Sequence, residues 1–344
     1  MDEIDAKPEP EWASWPDERL LDARLCDLNL SIDGSPLVQR IDQLATELAD
    51  RRIVFRPHVW ISDEWFTPDG IPGIAVPFYL VHPRLVKLEL QQMLEVEGGT
   101  HEWCMRILRH EAGHAIENAY RLRLRTRRKQ LFGRSNVPYP NFYTPRPYSK
   151  RFVLHLDMWY AQSHPDEDFA ETFAVWLNPQ SDWGAQYAGW PALKKLEYMD
   201  ALMRDLADVP PPVTRTDQVD PLPSLTKTLR EHYQARRSHY GLEHPHFYDQ
   251  DLQRLFVEAA AAPGATSAAQ FIARMRKEAR RRVADRTGAY QYTIDRLLES
   301  MIARCRELDL RLANAPEQAK LDFMLLLTVQ TMNFLHSGRH RVAL

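Results

Sequence analysis

Two histidines four residues apart, His110 and His114, bracket a glutamate in the segment Arg109-His110-Glu111-Ala112-Gly113-His114. On a helix of 3.6 residues per turn, positions four apart stand one above the other on a single face. Two neutral imidazoles placed that way can share one Zn²⁺, each at roughly 2.0–2.1 Å. Glu111, next to the first histidine, then lies beside the ion without filling its coordination, where its carboxylate can take a proton from bound water. The flanking residues favour a helix. Gly98-Gly99-Thr100 breaks the preceding segment, Thr100 is a good N-cap, and Glu102 suits the positive helix start. From there Trp103, Cys104, Ile107, Leu108, Ala112, Ala115, Ile116 and Ala119 recur as in a mostly buried helix. Two histidines and a glutamate inside such a helix are costly unless something satisfies them.

A catalytic zinc needs three protein ligands and one open position. Glu117 and Tyr120 occupy the places where a metzincin carries glycine and histidine, which excludes that class. Glu117 shares roughly the face of both histidines, but a third donor further along one straight helix reaches a single ion poorly. A carboxylate on a second helix is the better geometry. Such a helix is predicted from Pro165, with Phe169, Ala170, Phe173, Ala174 and Leu177 as its buried stripe. Asp166, Glu167 and Asp168 crowd its first turn, where acids also favour the helix dipole. Glu167 is the candidate third ligand, and Glu171, one turn on, can accept a hydrogen bond from a ligand histidine.

The pair HEAGH and EDFAE resembles the gluzincin clan of zinc metallopeptidases, whose third ligand is a glutamate on a following helix. The stretch Ser163-His164-Pro165-Asp166-Glu167-Asp168-Phe169-Ala170-Glu171 is most similar to a bacterial family of zinc-binding metallopeptidases with an SHPxEDxAE signature. It is also distantly similar to the lethal-factor and Mlc-titration-factor branches, where a tyrosine lies seven residues before the ligand segment. Carried over by position, the resemblance implies His110, His114 and Glu167 as ligands, Glu111 as general base and Tyr160 as oxyanion partner. Glu171 would be the carboxylate behind the ligand histidine. The resemblance covers about residues 100–180.

These residues need elements to hold them. Before the metal helix, Leu20, Leu21, Leu25 and Leu28, then Leu37, Ile41, Leu44 and Leu48, recur at helical spacing. The period then changes. Ile53-Val54-Phe55, Val59-Trp60-Ile61, Ile74-Ala75-Val76 and Phe78-Tyr79-Leu80-Val81 read as strands, separated by Pro68, Gly70, Pro72 and Gly73. Beyond the ligand segments, Pro210, Pro211, Pro212, Pro221 and Pro223 mark a stiff connector. The remainder reads as helices over about 224–238, 248–261, 266–286, 290–312 and 315–337. Leu252, Leu255, Phe256, Leu297, Leu298, Met301, Ile302, Phe323, Leu326 and Met332 are its candidate core. The prediction is an α+β chain. Residues 1–208 form a zincin-like metallopeptidase domain, with a helical lead 16–51, a small sheet 53–81, the metal helix 100–125 and the third-ligand helix 165–178. A proline-rich linker 209–223 leads to a mainly α-helical C-terminal domain, 224–344.

Composition narrows the function classes. A net charge of −3 argues against a dedicated nucleic-acid binder, and 44% hydrophobic with 26% charged residues is an ordinary soluble mixture. Cys26, Cys104 and Cys305 lie far apart and form no CxxC pair, so neither a disulfide framework nor a thiolate zinc site is indicated. An acidic start and the lack of a long apolar run make a soluble cytoplasmic protein the expectation, with no membrane partner. The run Arg121, Arg123, Arg125, Arg127, Arg128 and Lys129 reads as a solvated helix end, with attraction of an acidic substrate as the alternative. Arg274, Arg276, Lys277, Arg280, Arg281 and Arg282 read likewise as a solvated face. His232, His239, His244 and His246 fit no zinc spacing. The expected activity is zinc-dependent hydrolysis of a peptide or protein substrate, with a peptide strand lying along Ile74-Ala75-Val76. The alternatives are hydrolysis of a non-peptide amide or isopeptide bond, and a non-catalytic interaction protein with a structural metal. The C-terminal helices are a candidate surface for a protein partner.

Overall fold

In the computed structural model the described residues are 9–140, 142–143, 145–146, 149–240, 248–336 and 342–343. They form a mixed α+β chain, mostly helical, whose sheets have two strands each. The chain divides into two compact units: Met1–Gln92, Val96–Pro138 and Pro147–Ala235 make the first, and Met93–Glu95, Tyr139–Arg146 and Arg236–Leu344 the second. No helix among the described residues is long and apolar enough to cross a membrane.

The first unit opens with α1 (Asp17–Leu21) and α2 (Leu37–Asp50), whose Leu37, Leu44 and Leu48 are buried. Strands β1 (His58–Ser62) and β2 (Gly73–Pro77) run parallel, with Trp60 opposite Ala75. Then come α3 (Pro83–Met93), α4 (His101–Ala119), α5 (Thr126–Phe132), α6 (Pro165–Leu177), α7 (Trp183–Gln186) and α8 (Leu193–Asp205). Thr100 caps α4 by accepting from the Trp103 N–H at 3.2 Å, and His164 caps α6 by accepting from the Asp166 N–H at 3.2 Å.

Four expectations change here. The sheet is smaller than predicted. Ile53 and Phe55 are buried and Val54 is exposed, as in a strand, yet the segment is paired in no ladder. Phe78–Val81 is a buried 3₁₀ turn, an apolar run whose lack of alternation does not separate strand from helix. The outer edge of β2 is also taken: Ala75 N–H donates to the Phe66 carbonyl at 2.8 Å, so Ile74–Val76 offers no open edge to a peptide. Finally, the metal helix stops at Ala119, six residues short of 125, because Arg121 adopts a left-handed backbone at φ 53° and turns the chain toward α5. The proline-rich stretch 209–223 is packed onto this unit, which continues through Ala235. Val213 N–H donates to the Ala119 carbonyl, Trp60 Nε1 to that of Val219 and Ser62 Oγ to that of Asp220.

The basic run after α4 is only partly solvated. Arg128 is fully buried, donating to Glu117 at 2.7 Å and to Asp166 at 2.5 Å, so it joins the end of α4 to the start of α6. Arg123 supports the same acids, at 3.1 Å from Glu117 and 3.3 Å from Asp166. Arg128→Met would leave two buried carboxylates facing each other with only Arg123 between them, and is expected to lower stability by about 3–5 kcal/mol. Urea unfolding measures it; a loss below about 1 kcal/mol, the scale of an exposed pair, would show that the bridge contributes little.

The second unit takes the end of α9 (Leu229–Tyr240) and then α10 (Asp249–Leu255), α11 (Ala268–Thr287), α12 (Gln291–Glu307) and α13 (Pro316–His336). Its short strand β3 (Phe142–Tyr143) pairs antiparallel with the last, β6 (Val342–Ala343). Between helices, β4 (Phe256–Glu258) pairs antiparallel with β5 (Leu310–Leu312), where the periodicity suggested continuing helix. Leu252, Phe256, Leu297, Leu298, Met301, Ile302 and Phe323 are buried as expected, while Leu255, Leu326 and Met332 are half-buried. Within the second basic run, Arg276 and Arg280 turn onto Asp295 of α12, and Arg274, Lys277 and Arg281 face solvent. His232 is buried against Phe78. His244 and His246 lie outside the described residues, as do residues 1–8 of the acidic start.

Candidate metal centre

Helices α4 and α6 pack face to face, and a glycine sets how closely. A Cβ built on Gly113 would lie 2.8 Å from the Cα of Ala170 and 3.0 Å from its carbonyl oxygen, so only glycine admits the α6 backbone at this distance. Ala170 is one turn beyond Glu167 on α6, and Gly113 is next to His114 on α4. The close approach therefore carries the Glu167 carboxylate to the two imidazoles. His110 Nε2, His114 Nε2 and Glu167 Oε2 stand 3.0, 3.1 and 3.2 Å from one another. All three residues are buried.

The donor set fits a metal ion. Tetrahedral ligands at 2.0–2.1 Å from zinc are spaced by roughly 3.3–3.4 Å, close to the observed triangle. The proton inventory agrees. His110 Nδ1–H donates to Glu171 Oε1 at 2.7 Å, which in a neutral ring leaves a bare lone pair at Nε2. That lone pair faces a carboxylate oxygen and the Nε2 of His114. Burial pulls both imidazoles toward the neutral form, yet hydrogen bonds and charge from Glu167 and Glu171 lift His110 well above the usual histidine range. For His114 burial is likewise outweighed by the charge of Glu167, which raises it. Burial pushes Glu167 up, and the neighbouring His114 and His110 hold it well below the usual carboxylate range. With both rings neutral, a cation bound by all three atoms would satisfy the lone pairs that converge there. Among the described residues His110, His114 and Glu167 are the one group of such side chains able to hold a metal ion together.

The three acids that open α6 have separate partners. Asp166 goes to Arg128, Glu167 to the histidines, and Asp168 to Lys195 Nζ at 2.5 Å. Burial raises Asp168 to about 7 even with that ammonium beside it. Glu117 is held by Arg128 and Arg123 rather than turned to the ion position. Glu171 accepts from His110 and also from the Leu156 N–H at 2.9 Å, which fixes both of its oxygens. Burial raises Glu171, and these hydrogen bonds with nearby His155 and His110 hold it below the usual range. Glu171→Gln keeps the shape but weakens the grip on the imidazole. Zinc affinity is expected to fall about 10–100-fold. Competition with a chromogenic chelator measures this, and unchanged affinity would remove Glu171 from the centre.

Glu111 is buried next to His110 but is not one of the converging donors; its Oε2 accepts from Thr67 Oγ1 at 2.8 Å. Tyr160 lies within the 3₁₀ turn Asp157–Gln162, its ring 5.5 Å from the His110 ring and tilted by 58°. Met158 and Trp159, at φ 59° and 56°, form a left-handed corner just before it. Nothing local in the sequence marks Thr67 or the Leu156 amide, and Arg128 is marked only as one cation of a basic run. Gly113 did carry a signal: glycine inside a helix costs about 1 kcal/mol relative to alanine and needs a packing reason. No family model, no curated protein and no solved structure matches this chain.

Proposed function

We propose that this chain is a zinc-dependent peptidase of gluzincin type, its first unit a zincin-like catalytic domain. The observation that carries the reading is a buried triangle of two imidazole nitrogens and one carboxylate oxygen with a second, uncoordinating carboxylate, Glu111, beside it. A metal held only for structure needs no such neighbour. Bound zinc would supply a Lewis acid and lower the pKa of its water toward ~7. Glu111 takes a proton from the attacking water and returns it to the leaving amine as the C–N bond breaks. Tyr160, whose ring flanks His110, donates its phenolic proton as a hydrogen bond to the oxyanion that develops on the scissile carbonyl. Glu171 keeps His110 Nδ1 protonated and its Nε2 turned to the metal position.

An unbiased peptide-library digest by the zinc-loaded chain tests the reading. New termini that vanish when a chelator strips the metal are expected. Cleavage of non-peptide amides alone would shift the assignment to the hydrolase alternative, and full metal retention with no turnover would leave a structural centre. Tyr160→Phe is expected to lower kcat about 10²–10³-fold with little change in KM. An unchanged kcat would remove Tyr160 from the mechanism.

A further inference from the structure

We infer that Thr67 is the positioning residue of the base, Glu111, an inference that rests on the peptidase reading above. Its hydroxyl donates to Glu111 Oε2 at 2.8 Å, and the Glu111 carbonyl oxygen, at 3.3 Å, is a weaker competitor for the same proton. A glutamate side chain on a helix has several rotamers, each placing its carboxylate differently. One donor at a fixed point selects among them.

The donor is fixed because its backbone is held on both sides. Phe66, just before it, exchanges two backbone hydrogen bonds with Ala75 of β2, at 2.8 and 3.4 Å. Pro68, just after it, and Ile71 both give their carbonyls to one amide: Asn118 Nδ2 donates at 2.9 and 3.0 Å. Asn118 lies four residues beyond His114 and seven beyond Glu111, on the same face of α4. Residues 66–71 thus lie along the metal helix, riveted to the sheet at one end and to α4 at the other, with the Thr67 hydroxyl over Glu111. The consequence is a division of labour between two oxygens. Oε2 is occupied by the Thr67 proton, which never leaves its oxygen. Oε1 remains to take the proton from water as that O–H bond breaks, and to release it to the amine nitrogen afterwards.

The test compares zinc-loaded wild type, Thr67→Val and Thr67→Ser, with zinc affinity and thermal unfolding checked for each. Valine keeps the shape and removes the donor; serine keeps the donor. Since no metal ligand is touched, zinc affinity is expected to be unchanged in both. On a peptide found by the library digest, Thr67→Val is expected to lose about 10–100-fold in kcat with KM unchanged, the cost of a misplaced group, while Thr67→Ser retains most of the activity. If wild type cleaves peptides and Thr67→Val matches its kcat, the role of Thr67 is overturned while the peptidase reading stands. If no zinc-loaded chain cleaves anything, that reading fails, and crystal structures of wild type and Thr67→Val decide the point on geometry alone. A Glu111 carboxylate that swings away in the valine variant upholds the assignment; one that stays in place ends it.

Discussion

Glu111→Gln is expected to bind zinc with wild-type affinity and to lose about 10²–10⁴-fold in peptide hydrolysis. The first half follows from geometry, because the converging donors are His110 Nε2, His114 Nε2 and Glu167 Oε2. The amide has nearly the same size as the carboxylate and its oxygen can still accept from Thr67, so the fold around it has no reason to change. The second half follows from chemistry. An amide does not take a proton near neutral pH, and without a base the attacking water must give up its proton to solvent that this buried pocket largely excludes. Metal content and initial rates on one cleaved peptide, wild type against variant, measure both halves. Near-normal turnover would exclude Glu111 as the base; loss of zinc along with activity would mean that the side chain holds the metal after all.

Gly113→Ala is expected to be nearly as damaging, from a residue that carries no functional group. The new methyl would meet backbone atoms, the Ala170 Cα at 2.8 Å and its carbonyl oxygen at 3.0 Å, and backbone has no rotamer by which to yield. Helices α4 and α6 must part locally, and Glu167, one turn before Ala170, moves with its helix. A metal site tolerates displacements of about 0.5 Å, so zinc affinity is expected to fall about 100-fold or more. Stability receives opposing contributions: alanine improves helix propensity by about 1 kcal/mol, and overpacking a well-filled interface costs about 1–3 kcal/mol. Unfolding therefore shifts modestly while metal binding collapses, which separates this variant from a generally destabilised one. Ala170→Gly should not rescue it, because the closest clash is with Cα rather than with the Ala170 methyl at 3.2 Å. Wild-type zinc affinity in Gly113→Ala would show that the helices can part without disturbing the donors.

What was legible in the chain was local. The period of α4 and α6, the cap at Thr100, Pro165 in the first turn of α6, and the facing of His110 and His114 follow from rules that act over one turn of helix. Where neighbours along the chain do not decide, the sequence leaves the element open. Phe78–Val81 is equally apolar as strand or turn, and Ile53–Phe55 alternates as a strand should but meets no partner strand. The cations after α4 look like a solvated end until Arg128 is seen enclosed between Glu117 and Asp166. Likewise, Thr67 is an ordinary loop residue until the pairing of Phe66 with Ala75 and the Asn118 amide bring it over Glu111.

The acids of α6 show where the line falls. Consecutive helical residues point about 100° apart, so Asp166, Glu167 and Asp168 had to face three directions whatever surrounded them. That much, together with the paired imidazoles and their intervening carboxylate, was determined by the chain itself. Which of the three would look toward the histidines depended on how α6 rolls against α4, and that was decided by backbone contact at Gly113 and by Arg128 and Lys195 claiming the outer two. Donor chemistry is a property of residue type and short-range spacing. Bringing donors from different helices within 3.2 Å depends on packing between segments more than fifty residues apart, which no local pattern encodes.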